Sequence, residues 1–62
     1  MNNEIFECII RIKCKKTTFN KGELVFIHSI NEDNYLIVDV NNLKGLSINV
    51  NDFNKYFKLT II

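Results

Sequence analysis

The sequence predicts an all-β domain of five short strands, with one helical turn before the last of them. Three observations carry this reading. Apolar and polar residues alternate from Phe6 to Cys14, a period of two that fits a half-buried strand and not a helix. Two apolar runs, Leu24 to Ile30 and Tyr35 to Val40, flank the polar stretch Asn31-Glu-Asp-Asn34, which is the pattern of a hairpin. A third alternating run, Leu46-Ser-Ile-Asn-Val50, follows Gly45.

A chain of 62 residues is read as one domain, residues 1–62. A chain this short buries only about 60% of the surface its unfolded form exposes, and such cores supply roughly 3–5 kcal/mol. Hydrophobic residues make up 47% and charged residues 24%, a globular balance that excludes a disordered tail. So small a core leaves no room for a cofactor-sized cavity, and neither a cofactor nor a small-molecule substrate is expected. No window approaches the roughly 18 apolar residues of a membrane span. Met1-Asn-Asn-Glu4 is not a basic region leading into an apolar one. The expectation is a cytoplasmic protein without a membrane partner.

In the first strand, Phe6, Cys8, Ile10, Ile12 and Cys14 share the inward face, and Glu7, Arg11, Lys13 and Lys15 share the outward one. Ile5 and Ile9 fall on the outward face, where exposed isoleucine can mark an edge on which another chain packs. Cys8 and Cys14 are six residues apart, roughly 20 Å along an extended strand. A disulfide needs Cα atoms within about 7 Å, so both are expected as core residues and not as a bridge or metal pair. Lys15 to Gly22 reads as a polar connection, with Phe19 tucked into the core and Gly22 at a positive-φ turn position.

Leu24 to Ile30 is apolar almost throughout, so periodicity does not fix its inward face; β-branched and aromatic content still makes it a strand. In Tyr35 to Val40, taking Asp39 as outward places Leu36, Val38 and Val40 in the core. Leu46, Ile48 and Val50 point inward from the fourth strand. Asn51-Asp52 is expected to cap a helical turn, with Phe53, Tyr56 and Phe57 at i, i+3 and i+4 on one face. Lys58 to Ile62 is the last strand, with Leu59 and Ile61 inward.

Phe19-Asn-Lys-Gly-Glu-Leu-Val-Phe-Ile27, Tyr35-Leu-Ile-Val-Asp-Val40 and Lys44-Gly-Leu46 resemble the second, third and closing strands of SH3-like small barrels. The resemblance covers residues 19 to 62. It implies a five-stranded SH3-like barrel in which Val25 and Ile27 point inward and Leu24, Phe26 and His28 lie on the other side. Tyr35 stands where the family's ligand-stacking Trp would be. The chain has no Pro and no Trp and lacks the aromatic-rich first strand of peptide-binding members, so recognition of proline-rich peptides is not implied. With ten Asn and ten Ile, the chain is also similar to accessory proteins from phages of low-GC bacteria, which act on a host protein.

Catalysis is not expected. His28 is the only histidine, Ser29 beside it points to the opposite strand face, and two glycines cannot build a phosphate loop. Two binding surfaces remain. Phe26 and Leu24, with Ile5, Ile9 and Ile62, are more outward apolar groups than a small monomer needs, which fits a protein partner or a homo-oligomer. Tyr35, at the ligand-stacking position the resemblance implies, joins them among the expected protein-binding residues. Arg11, Lys13, Lys15, Lys16 and Lys21 form an acid-free basic run, which fits a nucleic acid, although a net charge of +1 is low for that role. The expected function is a small binding module for a protein partner, with nucleic-acid binding as the alternative.

Overall fold

The computed structural model describes residues 4–41 and 43–61, the side chain of Ile61 apart. Seven strands and one helix follow in order: β1 (Ile5–Cys8), β2 (Ile12–Cys14), β3 (Thr17–Phe19), β4 (Leu24–Asn31), β5 (Asn34–Asp39), β6 (Gly45–Asn49), α1 (Val50–Tyr56) and β7 (Phe57–Ile61). Five of the strands form one antiparallel sheet in the order β6-β5-β4-β1-β7, and β2 and β3 form a separate hairpin. The sheet is not closed into a barrel. β6 and β7 are its two edges, and α1, which joins them, packs against both.

The expected first strand, Phe6 to Cys14, is two strands. The main chain breaks away after Cys8, where the Ile9 N–H donates to the Tyr56 carbonyl at 2.7 Å and the Cys8 thiol donates to the Ile10 carbonyl at 3.1 Å. Ile10, expected inward, is therefore exposed. Cys8 is fully buried and Cys14 is exposed, both as free thiols, so the core placement of Cys14 is corrected. Cys14 does lie on the same hairpin face as Ile12 and buried Phe19. It sits at the tip, beyond the end of the core: alternation gives the face of a residue, not its depth. Burial pushes the Cys8 thiol above its ordinary pKa, which keeps it protonated and inert.

The connection after Cys14 contains β3, whose Phe19 is fully buried as expected. Gly22 has φ +96 in the turn closed by the Glu23 N–H on the Asn20 carbonyl, a conformation only glycine adopts without steric cost. The two tight hairpins have no glycine. Lys15, between β2 and β3, and Glu32, between β4 and β5, both have φ 56. Glu32→Gly removes the left-handed penalty at the first loop position, and the expected result is a gain of about 0.5–1 kcal/mol in urea unfolding. A loss of stability would show that the turn is not strained.

β5 faces the opposite way from expectation. Tyr35, Ile37 and Asp39 point inward, with Ile37 fully buried and Asp39 7% exposed, whereas Leu36 and Val40 are exposed and Val38 is half-buried. Both faces of this strand are apolar, so Asp39 was the phase marker, and Asp39 is a buried bracket instead. Its carboxylate accepts the Leu43 N–H at 2.7 Å and the Lys44 N–H at 3.0 Å, satisfying the loop that feeds β6.

Cys8, Phe19, Val25, Ile37, Ile48, Phe53 and Phe57 make the core, and Leu46 packs against it. Val50 is the first residue of α1, not the last of a strand. The helix is capped by Asn49, whose side chain accepts the Asn51 N–H at 2.8 Å, two residues before the expected cap. Phe53 is buried on α1 as expected, whereas Phe57 is buried as the first residue of β7, with extended backbone, and not on the helical face expected of it. Leu59, expected inward, is exposed. The expected placements of Ile61 inward and Ile62 outward fall on side chains outside the described residues. No helix among the described residues is long and apolar enough to cross a membrane.

Candidate functional site

The main concavity is an open groove of about 730 Å³ along the start of β1, the second half of β4 and one side of α1. β1 contributes Ile5 and Phe6, preceded by Glu4; β4 contributes Phe26, Ile27 and Ile30, with His28 and Ser29; β5 contributes Tyr35; and α1 contributes Phe53 and Asn54.

A β-bulge builds this groove. β4 pairs with β5 as Ile27↔Ile37 and then as Ser29↔Leu36, which leaves His28 as an extra residue. A bulge bends its strand and increases the local twist. It also shifts the phase of the strand, so that Ile30 pairs with Tyr35 and joins Val25 and Ile27 on the face that looks toward α1. At that end the core has run out, and Ile30 is 65% exposed. Without the bulge Ile30 would lie on the opposite face. Phe26, opposite Val38 on the outer face, also lines the groove.

The floor is rigid. Phe53 meets Phe6 edge-on at 4.9 Å and Tyr35 edge-on at 5.1 Å, and stacks on Phe57 at 5.1 Å. Among the described residues the lining holds no Lys or Arg, and Glu4 is its only acidic residue. Such a groove accepts apolar side chains and repels phosphate.

Of the expected protein-binding residues, the structure brings Phe26, Tyr35 and Ile5 together. Leu24 lies apart, in a smaller depression beside Glu23, Asp39 and Lys44. Ile9 is half-buried where its N–H meets Tyr56, and it does not line the groove. Ile30, Ile27, Phe6 and Phe53 line it without having been singled out. Ile30 closes an apolar run, but the bulge that turns it has no signature in the sequence.

The basic residues gather on and beside the β2–β3 hairpin, all exposed. Lys13 is on β2, Lys15 and Lys16 form its turn, Arg11 donates to the Asn20 side chain at 3.2 Å, and Lys21 precedes Gly22. The only aromatic of the hairpin, Phe19, is fully buried beneath Lys44, whose ammonium lies 4.8 Å from the ring centroid. The hairpin offers charge without a stacking platform. Lys44, named in the sequence only for the resemblance, ties this hairpin down through Glu23 at 2.7 Å and the Thr18 carbonyl.

Among the described residues no group of three or more His, Cys, Asp or Glu is placed to hold a metal ion. Comparison with protein-family models, with curated proteins and with solved structures found no match.

Proposed function

We propose that this chain is a small SH3-like binding module without catalytic activity, which engages a protein partner through the groove at Ile30, Phe26 and Tyr35. The observation that carries the reading is the groove itself: an apolar concavity with an aromatic floor and no basic lining residue. Ile30, standing 65% exposed at its wall, has no role in the core. Support for the SH3-like fold comes from the five-stranded sheet, its tight central hairpin and the helix directly before the last strand. The partner is a protein segment that presents apolar side chains, since among the described lining residues phosphate would meet Glu4 and no Lys or Arg.

A second reading rests on Lys13, Lys15 and Lys16, exposed together on the hairpin. Nucleic acid bound there would be held by charge alone and would come off steeply with salt.

Affinity capture with the tagged protein, with and without nuclease, separates the two. The groove reading expects one dominant protein that survives nuclease. That protein is lost by about tenfold or more with Ile30→Asp, as for a central apolar contact, and kept with Lys13→Glu/Lys15→Glu. Because Ile30 is exposed, its replacement leaves the fold intact, which circular dichroism checks. Unchanged capture by Ile30→Asp overturns the groove, and nuclease-sensitive capture lost with the lysine variant moves the site to the hairpin.

A further inference from the structure

The groove leaves the β6 edge of the sheet unused, and that edge has the properties of an association surface. Antiparallel ladders direct alternate residues toward the neighbouring strand. The Asp39 N–H donates to the Lys44 carbonyl at 3.1 Å and the Val50 N–H to the Asp33 carbonyl at 2.8 Å. Both bonds belong to the register that places Asn34 opposite Asn49. In that phase Leu46 and Ile48 turn their main-chain groups to β5, and Gly45, Ser47 and Asn49 turn theirs outward. All three are exposed, and no other described strand pairs with them.

Sheet edges are ordinarily guarded by charge, proline or a bulge. The other edge, β7, carries Lys58 and pairs with β1 through an irregular register. β6, Gly-Leu-Ser-Ile-Asn, has no charge and no proline, and it pairs with β5 without a bulge. Its sequence is also complementary to itself when reversed about Ser47.

We infer that two copies of this chain pair through β6, antiparallel, about a two-fold axis at Ser47. Ser47 then faces Ser47 of the other copy, Leu46 faces Ile48, and Gly45 faces Asn49. The outward N–H and C=O groups of Ser47 pair twice across the axis, and the Asn49 N–H of each copy reaches the Gly45 carbonyl of the other. The Asn49 carbonyl already opens α1. The apolar Leu46–Ile48 pairs repeat on the inner face, Gly45 has no side chain to obstruct Asn49, and no like charges meet. The same patch serves both copies, as a closed two-fold interface requires.

Two five-residue strands make a contact below the roughly 1,200 Å² of a stable complex, so association is weak and is read at high concentration. The test is sedimentation equilibrium of the intact chain from micromolar to millimolar concentration. The wild type is expected to rise in mass toward the dimer. Ser47→Pro removes an outward donor and leaves the β5 ladder whole, and Ser47→Lys sets two like charges across the axis. Each is expected to raise the dissociation constant about tenfold or more with an unchanged circular dichroism spectrum; if the proline variant does not fold, the lysine variant carries the test. Ile30→Asp should dimerise like the wild type, which separates this edge from the groove. A wild type that stays monomeric to millimolar concentration overturns the inference. So does a dimer indifferent to both Ser47 variants, or one abolished by Ile30→Asp.

Discussion

Phe53→Ala leaves the chain largely unfolded at 25 °C. The ring is 2% exposed and sits between Phe6, Tyr35 and Phe57, with centroids 4.9–5.1 Å away. It therefore joins α1 to β1, β5 and β7 at once. Truncating a buried phenylalanine costs about 3–5 kcal/mol, and a core of this size supplies roughly the same amount in total. The expected readout is a far-ultraviolet spectrum without strand signal and a urea titration with no folded baseline. Phe53→Leu keeps most of the volume and should cost about 1–2 kcal/mol, leaving a measurable transition. If Phe53→Ala instead folds with a small shift in midpoint, the aromatic cluster is not what holds the helix across the open side of the sheet.

Part of that cluster was legible in the sequence: the spacing of Phe53, Tyr56 and Phe57 marks them as aromatics gathered at one turn, although Phe57 opens β7 with extended backbone and does not extend the helical face. The contacts of Phe53 with Phe6 and Tyr35 were not legible, because they join elements far apart in the chain and the face of β5 reads the other way round. Gly22 and Phe19 were legible for similar reasons, one by its freedom at positive φ and the other as a lone aromatic in a polar connection. β5 was not. Leu36, Ile37, Val38 and Val40 are apolar on both faces, so a single polar residue set the phase, and that residue is buried to hold the turn after the strand. Period-two patterning fails wherever a buried polar group does structural work. It also overran the end of the core at Cys14, which lies on the face alternation assigns but at the tip of its hairpin; Leu59 shares the face of Phe57, opposite Phe6, and is exposed all the same.

The site was partly legible for a related reason. Phe26 and Ile5 could be named as surplus apolar surface and Tyr35 from the resemblance, and all three line one groove, Tyr35 from the inward face of β5. What adds Ile30 to them is the extra residue at His28, which moves it onto the face of Tyr35. A bulge is a difference in count between two strands. It appears only when both are paired, and no residue type in Leu24 to Asn31 announces it. Leu24 and Ile9 are separated from the groove because each is held where its own main chain bonds, Leu24 to the Val40 N–H and Ile9 to the Tyr56 carbonyl.

Stability falls in acid, and Asp39 and Glu23 contribute to the fall. Burial alone would raise its pKa, but the main-chain N–H groups of Lys44, Leu43 and Asn41 outweigh burial and hold it below the ordinary 3.8. Glu23 is held below its ordinary 4.5 chiefly by its hydrogen bond from the Lys44 ammonium, against a smaller opposing effect of burial. Both groups are stronger acids in the folded chain than in the unfolded one, so the unfolded chain takes up protons first as the pH drops. Their contribution is complete above the ordinary carboxylate range and is lost as the pH falls through the lowered folded-state values. The urea midpoint should therefore be level above about pH 5.5 and fall steadily below about pH 4.5. Asp39→Asn keeps one oxygen facing the Leu43 and Lys44 N–H groups but removes the charge that strengthens those bonds. It is expected to lower the neutral-pH midpoint and flatten the acid limb, and Asp39→Ala, which leaves both donors unpaired, should lower the midpoint further. Lys44→Met should flatten what remains of the slope by releasing Glu23. An Asp39→Asn profile parallel to the wild type at every pH would show that the bracket does not depend on charge, and that the loop feeding β6 is held by its backbone alone.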